Sequence, residues 1–239
     1  MIELFTLKNL LAFLTLSSLE IVLGIDNIVF IAILTSKLPQ HLQSKARKIG
    51  LGIAMVARIV LLFCISWIMG LTEPWFSILD FAFTGREVIL LAGGMFLIAK
   101  ATLEIHHKVE NSAGEKKSDK KVASFGAALV QIALIDIVFS LDSVITAVGM
   151  ADEIAVMVAA IVVAVGVMFV FADPVSEFIE HHPTLKILGL SFLLLIGVML
   201  VAEGFGKHVD KGYIYFAMGF SLGVELLNLK ISRRKKSVT

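Results

Sequence analysis

Two short acidic stretches, each inside an apolar run, carry the side chains that could do chemistry. Each stretch has a carboxylate, five further residues, and then an aspartate followed by a small amide or hydroxyl residue. The residues are Glu20, Asp26 and Asn27 in the first stretch, and Asp136, Asp142 and Ser143 in the second. A charge at the centre of a bilayer costs at least ~2.5–3.5 kcal/mol. Carboxylates retained in such runs therefore indicate a functional site.

All six side chains offer oxygen atoms as ligands, and neither stretch contains histidine or cysteine. Oxygen ligands suit Mg²⁺, Ca²⁺ and Mn²⁺ and argue against Zn²⁺ or Cu²⁺. Four negative charges exceed what one divalent ion neutralises, so the excess must be protonated, paired or met by a second cation. This would give a route to H⁺ or Na⁺ coupling. The alternative is that these polar groups only fix helix packing, which Asn27 and Ser143 alone would fit.

Further charged residues are candidates for charge pairing or gating: Arg58, Lys100, Glu203 and Glu225. Arg58 lies in the middle of an apolar run and needs a partner; it either neutralises a site carboxylate or forms a static structural pair. Lys100 and Glu203 lie at the ends of short apolar runs, where gating and interfacial snorkelling are both open. Glu225 is expected to have an accessory role.

The composition predicts that helices in a membrane position these residues. Hydrophobic residues make up 58% of the chain, charged residues 17%, and the mean hydropathy is +0.92. A soluble protein has about 25% charged residues. The formal net charge of +1 gives no support for a nucleic-acid partner, and a single cysteine excludes an internal disulfide. We predict an all-α polytopic membrane protein.

Apolar runs of spanning length predict about seven transmembrane helices. They cover residues 10–35, 49–70, 88–103, 125–150, 154–172, 187–202 and 213–229. Proline disfavours helix at the preceding residue. Pro39, Pro74, Pro174 and Pro183 are therefore all expected in the connections between spans.

The chain also has an internal repeat, in which Glu20 aligns with Asp136 and Lys100 with Glu203. We predict a first three-helix repeat at 1–103, a cytoplasmic linker at 104–124, a second repeat at 125–206, and a seventh helix with a basic tail at 207–239. Since three spans are an odd number, the second repeat should be inverted relative to the first, as in many secondary transporters. The two acidic stretches would then face each other at mid-membrane.

Helix periodicity divides the acidic residues into two groups. Residues seven apart nearly eclipse on a helix, so Glu20 shares a face with Asn27, and Asp136 with Ser143. Asp26 and Asp142 would point elsewhere unless each helix unwinds locally, and Gly24 and Ser140 are positions where such a break would be tolerated.

Lysine and arginine cluster in the loops of one face and in the tail Arg233-Arg234-Lys235-Lys236. The positive-inside rule therefore predicts an inner-membrane protein with its N-terminus outside and its C-terminus in the cytoplasm.

The paired motif, Glu20 with Asp26-Asn27 and Asp136 with Asp142-Ser143, resembles the TerC family of integral membrane proteins. The similarity runs through all seven predicted spans and is closest to a bacterial short form without an appended cytoplasmic domain. It implies the lysine-exporter-like superfamily of inverted three-helix repeats, an association with manganese efflux, and metal-binding roles for the acidic motif residues. Ser143 stands where the first repeat has Asn27, which implies a weaker ligand.

We therefore expect an exporter of a divalent cation, and the family resemblance favours Mn²⁺ as that cation. The expected partners are the lipid bilayer and the cation, and no resident cofactor is expected. The oligomeric state is left open. One alternative is a membrane scaffold that helps to load metal into partner proteins or to insert them. Another is an intramembrane aspartyl protease, which we do not favour because residues 24–26 lack its Gly-x-Gly-Asp pattern and four carboxylates are too many for a dyad. An enzyme is therefore not expected.

Overall fold

In a computed structural model, the chain is described at residues 6–64, 74–78, 81–112, 124–151, 153–207 and 209–236. These residues form seven helices and one small hairpin. The helices are α1 (Leu7–Thr35), α2 (Gln40–Phe63), α3 (Gly85–Ser112), α4 (Phe125–Met150), α5 (Ile154–Glu180), α6 (Pro183–Gly204) and α7 (Lys211–Lys236).

The hairpin precedes α3 and was not expected from the sequence. Its strands β1 (Pro74–Ile78) and β2 (Phe81–Thr84) pair antiparallel, and β2 leads directly into the helix. Thr84 and Glu87 form a capping box there: the Thr84 amide donates to Glu87 Oε2 at 2.8 Å, and the Glu87 amide donates to Thr84 Oγ1 at 3.3 Å. This reciprocal pair satisfies two amides that a helix N-terminus leaves without partners.

The prediction of a polytopic helical membrane protein is confirmed. Six of the described helices are long and apolar enough to cross a membrane. The remaining one, α2, carries several basic residues along its length, among them Lys45, Arg47 and Arg58. The end of the second predicted span, residues 65–70, lies outside the described residues.

Two predicted boundaries differ from the structure. α5 continues through Pro174 to Glu180, although a break was expected at this proline. Proline removes one backbone donor from the helix, here the one that would bond the Val170 carbonyl. Prolines are nevertheless tolerated in membrane helices, where neighbouring helices and small backbone adjustments compensate for the lost bond. α3 also continues to Ser112, beyond the linker boundary expected at residue 103. Of the other three prolines, Pro39 precedes α2, as expected, whereas Pro74 is the first residue of β1 and Pro183 is the first residue of α6.

Helices from the two halves pack on each other: α3 packs on α6, α1 on α5, and α2 on α4. If α1, α2 and α3 are exchanged for α4, α5 and α6, the α3–α6 pairing maps onto itself and the α1–α5 pairing maps onto the α2–α4 pairing. The crossing of α3 and α6 lies at Gly94 and Gly197, where a Cβ added to Gly94 would lie 2.7 Å from the Gly197 carbonyl oxygen. Small residues at this crossing let the two backbones approach closely. The pairing pattern fits a two-fold repeat, and its inversion stays a prediction.

Candidate cation site

Arg58 of α2 joins the two acidic stretches. Its Nη1 donates to Glu20 Oε2 of α1, and its Nη2 and Nε donate to Asp136 Oδ1 at 2.6 Å and Oδ2 at 3.2 Å on α4. The pair with Asp136 is thus a two-pronged guanidinium–carboxylate contact, the strongest geometry for this kind of ion pair. Three helices that are distant in sequence meet at one charged cluster.

Neutral polar side chains complete the cluster around Asp136. Asn27 Nδ2 donates to Asp136 Oδ1 at 3.3 Å, and Ser140 Oγ donates to Oδ2 at 3.1 Å. Ser143 Oγ donates to the Ser140 carbonyl at 3.3 Å. The predicted shared faces are therefore seen: Asn27 lies at the cluster with Glu20, and Ser143 lies beside it with Asp136.

The charged cluster is buried in the bundle. Glu20 is 4% exposed, Arg58 3% and Asp136 4%. Two carboxylates and one guanidinium leave a formal charge of −1 inside the protein. Ions held this deeply are costly unless they are paired and hydrogen-bonded. The partners of Arg58 and Asp136 meet that requirement, and the remaining negative charge makes the cluster attractive to a cation.

A cavity of about 50 Å³ lies next to this cluster. A cavity needs ~10–15 Å³ to hold one water, so this one has room for a few waters or for an ion. Its polar lining comes from Asn27, Arg58 and Ser143, and its apolar lining includes Leu200 of α6 and Ile214 of α7. The cavity therefore extends from the cluster toward the end of the bundle where α6 leads into α7.

Gly24 and Ser140 were considered as positions that would tolerate a helix break, but α1 and α4 are continuous helices through both positions. Gly24 serves close packing instead: a Cβ there would lie 2.1 Å from Met168 Cε of α5. Ser140 holds Asp136. The side chains of Asp26 and Asp142 lie outside the described residues. Among the described side chains, no group of three or more His, Cys, Asp and Glu residues is close enough to hold a metal.

The other candidate gating residues lie apart from the charged cluster. Lys100 Nζ lies 3.3 Å from Glu104 Oε1, which also pairs with Lys37, at the end of α3. This partly exposed pair fits an interfacial role. Glu203 is 7% exposed near the end of α6, so it does not snorkel outward. Glu225 is half-buried on α7, where its Oε2 accepts from Asn228 Nδ2 at 3.5 Å.

A second ionic contact was missed in the sequence. Asp173 of α5 accepts from Arg47 Nε at 2.8 Å and Ser44 Oγ at 2.9 Å, and lies 3.3 Å from Lys48 Nζ of α2. The contact lies near the N-terminus of α2, at the opposite end of the bundle from the α6–α7 connection. Asp173 adjoins a proline and was assigned to a loop, so its pairing with a basic helix face was not considered.

Comparisons with known proteins agree with this architecture. The model of a family described as "Integral membrane protein TerC family" matches residues 5–239. The UPF0053 inner membrane protein YgdQ of Escherichia coli K12 is 53% identical over 224 residues, which cover 93% of this chain and 92% of YgdQ. A UPF0053 protein of Haemophilus influenzae is 51% identical over 222 residues, covering 93% of this chain and 94% of that protein.

A longer relative is similar over only part of its length. The UPF0053 inner membrane protein YoaE of Escherichia coli K12 is 52% identical over 221 residues, covering 92% of this chain but 42% of YoaE. The chain thus spans less than half of YoaE. No solved structure matches the chain significantly.

Proposed function

We propose that this chain, which belongs to the TerC family of integral membrane proteins, exports a divalent cation, with Mn²⁺ as the expected ion, across the inner membrane. The observation that carries the proposal is the buried charged cluster of Glu20, Arg58 and Asp136, which retains one negative charge beside a cavity. Ionisable residues inside a membrane bundle are rare and typically mark ion pathways or proton relays.

The ligand chemistry favours a hard cation. Glu20, Asp136, Asn27 and Ser143 all offer oxygen atoms, as Mg²⁺, Ca²⁺ and Mn²⁺ prefer. We assign Asp26 and Asp142 to the same site from the repeated motif. With four carboxylates and one guanidinium, the negative charge left after binding of one divalent ion would be compensated by H⁺ or Na⁺.

The position of the cavity agrees with export in the proposed orientation. It lies toward the α6–α7 connection, which is the outer face if the N-terminus is outside. The contacts of Arg47 and Lys48 with Asp173 lie at the other end of the bundle. Movement of one half against the other would open the cytoplasmic end in turn, as in alternating access.

Ion flux into proteoliposomes tests the proposal directly. Purified protein should carry Mn²⁺, and Mg²⁺, Ca²⁺ and Zn²⁺ offered in competition should show the order of preference. Asp26→Asn or Asp142→Asn should abolish flux while the protein stays in the membrane. Glu177→Gln, which changes an exposed carboxylate on α5, is the matched control and should transport normally.

The same measurement separates carrier from scaffold. A scaffold that loads metal into partner proteins, or inserts them, would give no flux of any divalent ion in the absence of its partner. Flux that survives both aspartate substitutions would remove the acidic motif from the mechanism. An aspartyl protease would cleave membrane peptides in a reaction that needs no divalent ion, and we do not favour it.

A further inference from the structure

Arg58 lies between the cavity and the carboxylates that the proposed cation must reach. Arg58 and its neighbour Asn27 line the cavity, whereas neither Glu20 nor Asp136 does. Both of these carboxylates face the guanidinium instead. An ion that enters the cavity therefore meets a positive group before it meets either of these two carboxylates.

The hydrogen bonds show that Arg58 occupies the position of a shared cation. One guanidinium bonds carboxylate oxygens from α1 and α4 at the same time. A cation ligated by Glu20 and Asp136 together would need at least one Asp136 oxygen, and both Asp136 oxygens now bond the guanidinium, whereas Glu20 uses only Oε2. Because a carboxylate oxygen cannot face both cations at bonding distance without strong like-charge repulsion, the two states exclude one another.

Charge counting permits an exchange between them. With Arg58 in place, the cluster has a formal charge of −1. With a divalent ion on Glu20 and Asp136, the two carboxylates and the ion sum to zero, and the guanidinium withdrawn into the cavity adds +1. The formal charge of the whole cluster thus changes from −1 to +1 and keeps the same magnitude. Arginine has a long side chain with several rotatable bonds, and the adjoining cavity offers it a place to move.

We propose that Arg58 is a tethered competing cation, which leaves the carboxylates when the divalent ion binds and returns to them when the ion is released. This inference rests on the proposed function. Return of the guanidinium would lower the affinity for the ion and favour its release. It would also reduce the formal charge of the emptied site from −2 to −1, and uncompensated charge is costly in a buried cluster.

Mn²⁺ affinity of the purified protein in nanodiscs, measured by calorimetry, tests the competition. If the guanidinium is withdrawn in about a tenth of molecules or fewer, removing it should tighten binding about tenfold or more. Arg58→Gln should therefore bind Mn²⁺ more tightly than the wild type and transport it more slowly, because release is impaired. Arg58→Lys keeps the charge but loses the two-pronged contact, so its affinity should lie between the two.

Arg47→Lys and Arg47→Gln are the matched controls. Arg47 is a buried arginine on the same helix with a carboxylate partner, Asp173, and does not line the cavity. Both variants should bind Mn²⁺ as the wild type does. If Arg58→Gln does not fold, the Mn²⁺ affinity of Arg58→Lys decides whether Arg58 competes with the ion.

The outcomes separate the two proposals. A purely structural Arg58 would give variants whose Mn²⁺ affinity is unchanged or weaker, and that result in folded Arg58→Lys overturns the competition even if the wild type transports Mn²⁺. If the wild type neither binds nor transports a divalent ion, the proposed function itself is wrong. Tighter binding in both Arg58 variants, with slower flux, supports the exchange.

Discussion

Removing Arg58 should destabilise the protein more than removing either of its partners. The perturbations are Arg58→Gln, Glu20→Gln and Asp136→Asn. The two carboxylate substitutions keep the size of the side chain, whereas Arg58→Gln shortens it. Arg58→Gln leaves two buried carboxylates side by side, with a formal charge of −2. Either carboxylate substitution leaves one ion pair, Arg58 with Asp136 or Arg58 with Glu20, with a formal charge of zero.

The magnitudes follow from these contacts. Breaking a buried ion pair so that charge is left uncompensated costs about 3–5 kcal/mol, which we expect for Arg58→Gln in the absence of divalent ions. Glu20→Gln weakens a single charge-assisted hydrogen bond, and such bonds contribute about 1.5–3 kcal/mol. Asp136→Asn should fall between the two, because Asp136 also accepts from Asn27 and Ser140.

Reversible denaturation of the purified protein in mixed micelles, followed by circular dichroism, measures these differences. Lys37→Gln is the control, since its pair with Glu104 is partly exposed and such pairs contribute about 0–1 kcal/mol. If Glu20→Gln or Asp136→Asn destabilises the protein as much as Arg58→Gln does, the uncompensated charge left in the cluster does not determine the loss of stability.

Two further predictions concern packing and the cluster. Gly94→Ala should lower the free energy of unfolding by about 1–3 kcal/mol, because the new Cβ meets a backbone carbonyl of α6 that cannot move away. Gly52→Ala, with nothing within 4 Å of the new Cβ, should be neutral or stabilising by up to about 1 kcal/mol, and equal losses in thermal scans would refute the assigned crossing. Ser140→Ala should cost about 1.5–3 kcal/mol through the lost bond to Asp136. Ser221→Ala, at an exposed hydroxyl, should stay within about 0.5 kcal/mol in the same denaturation assay, and a loss as large as that of Ser140→Ala would contradict the assignment.

The helical layout was predictable because hydrophobicity and length dominate in a membrane. Residues 125–150 were predicted as one span and form α4 with the same bounds. Pro39 immediately precedes α2 and Pro183 is the first residue of α6. Proline suits these positions because the first amides of a helix have no partner within it. The break at Pro174 was predicted wrongly, because whether a helix continues through a proline depends on the packing around it. The rule that proline disfavours helix at the preceding residue does not include that packing.

The meeting of the acidic stretches was also predictable, but the way they meet was not. Helix periodicity placed Glu20 with Asn27 and Asp136 with Ser143. The partner of Arg58 could not be chosen from the sequence, because neutralising a site carboxylate and forming a static pair both satisfy a buried arginine. The structure gives it two carboxylates at once.

Glycine was the residue type most easily misread. Gly24 beside acidic residues suggested an unwound helix, but the same residue allows close contact with Met168 in a continuous one. Which role applies depends on the packing of α5, which lies more than a hundred residues away in the chain. The capping box of Thr84 and Glu87 at the start of α3 was not predicted, although its spacing is a known signal for a helix N-terminus.

An anomalous difference map at the manganese edge, from crystals grown with Mn²⁺, tests the central claim most directly. The account predicts a peak between α1 and α4, at about 2.0–2.6 Å from carboxylate oxygens of the acidic stretches, with Arg58 withdrawn from Glu20 and Asp136. Peaks confined to carboxylates at the ends of the bundle, with the guanidinium still bonded to both residues, would contradict it.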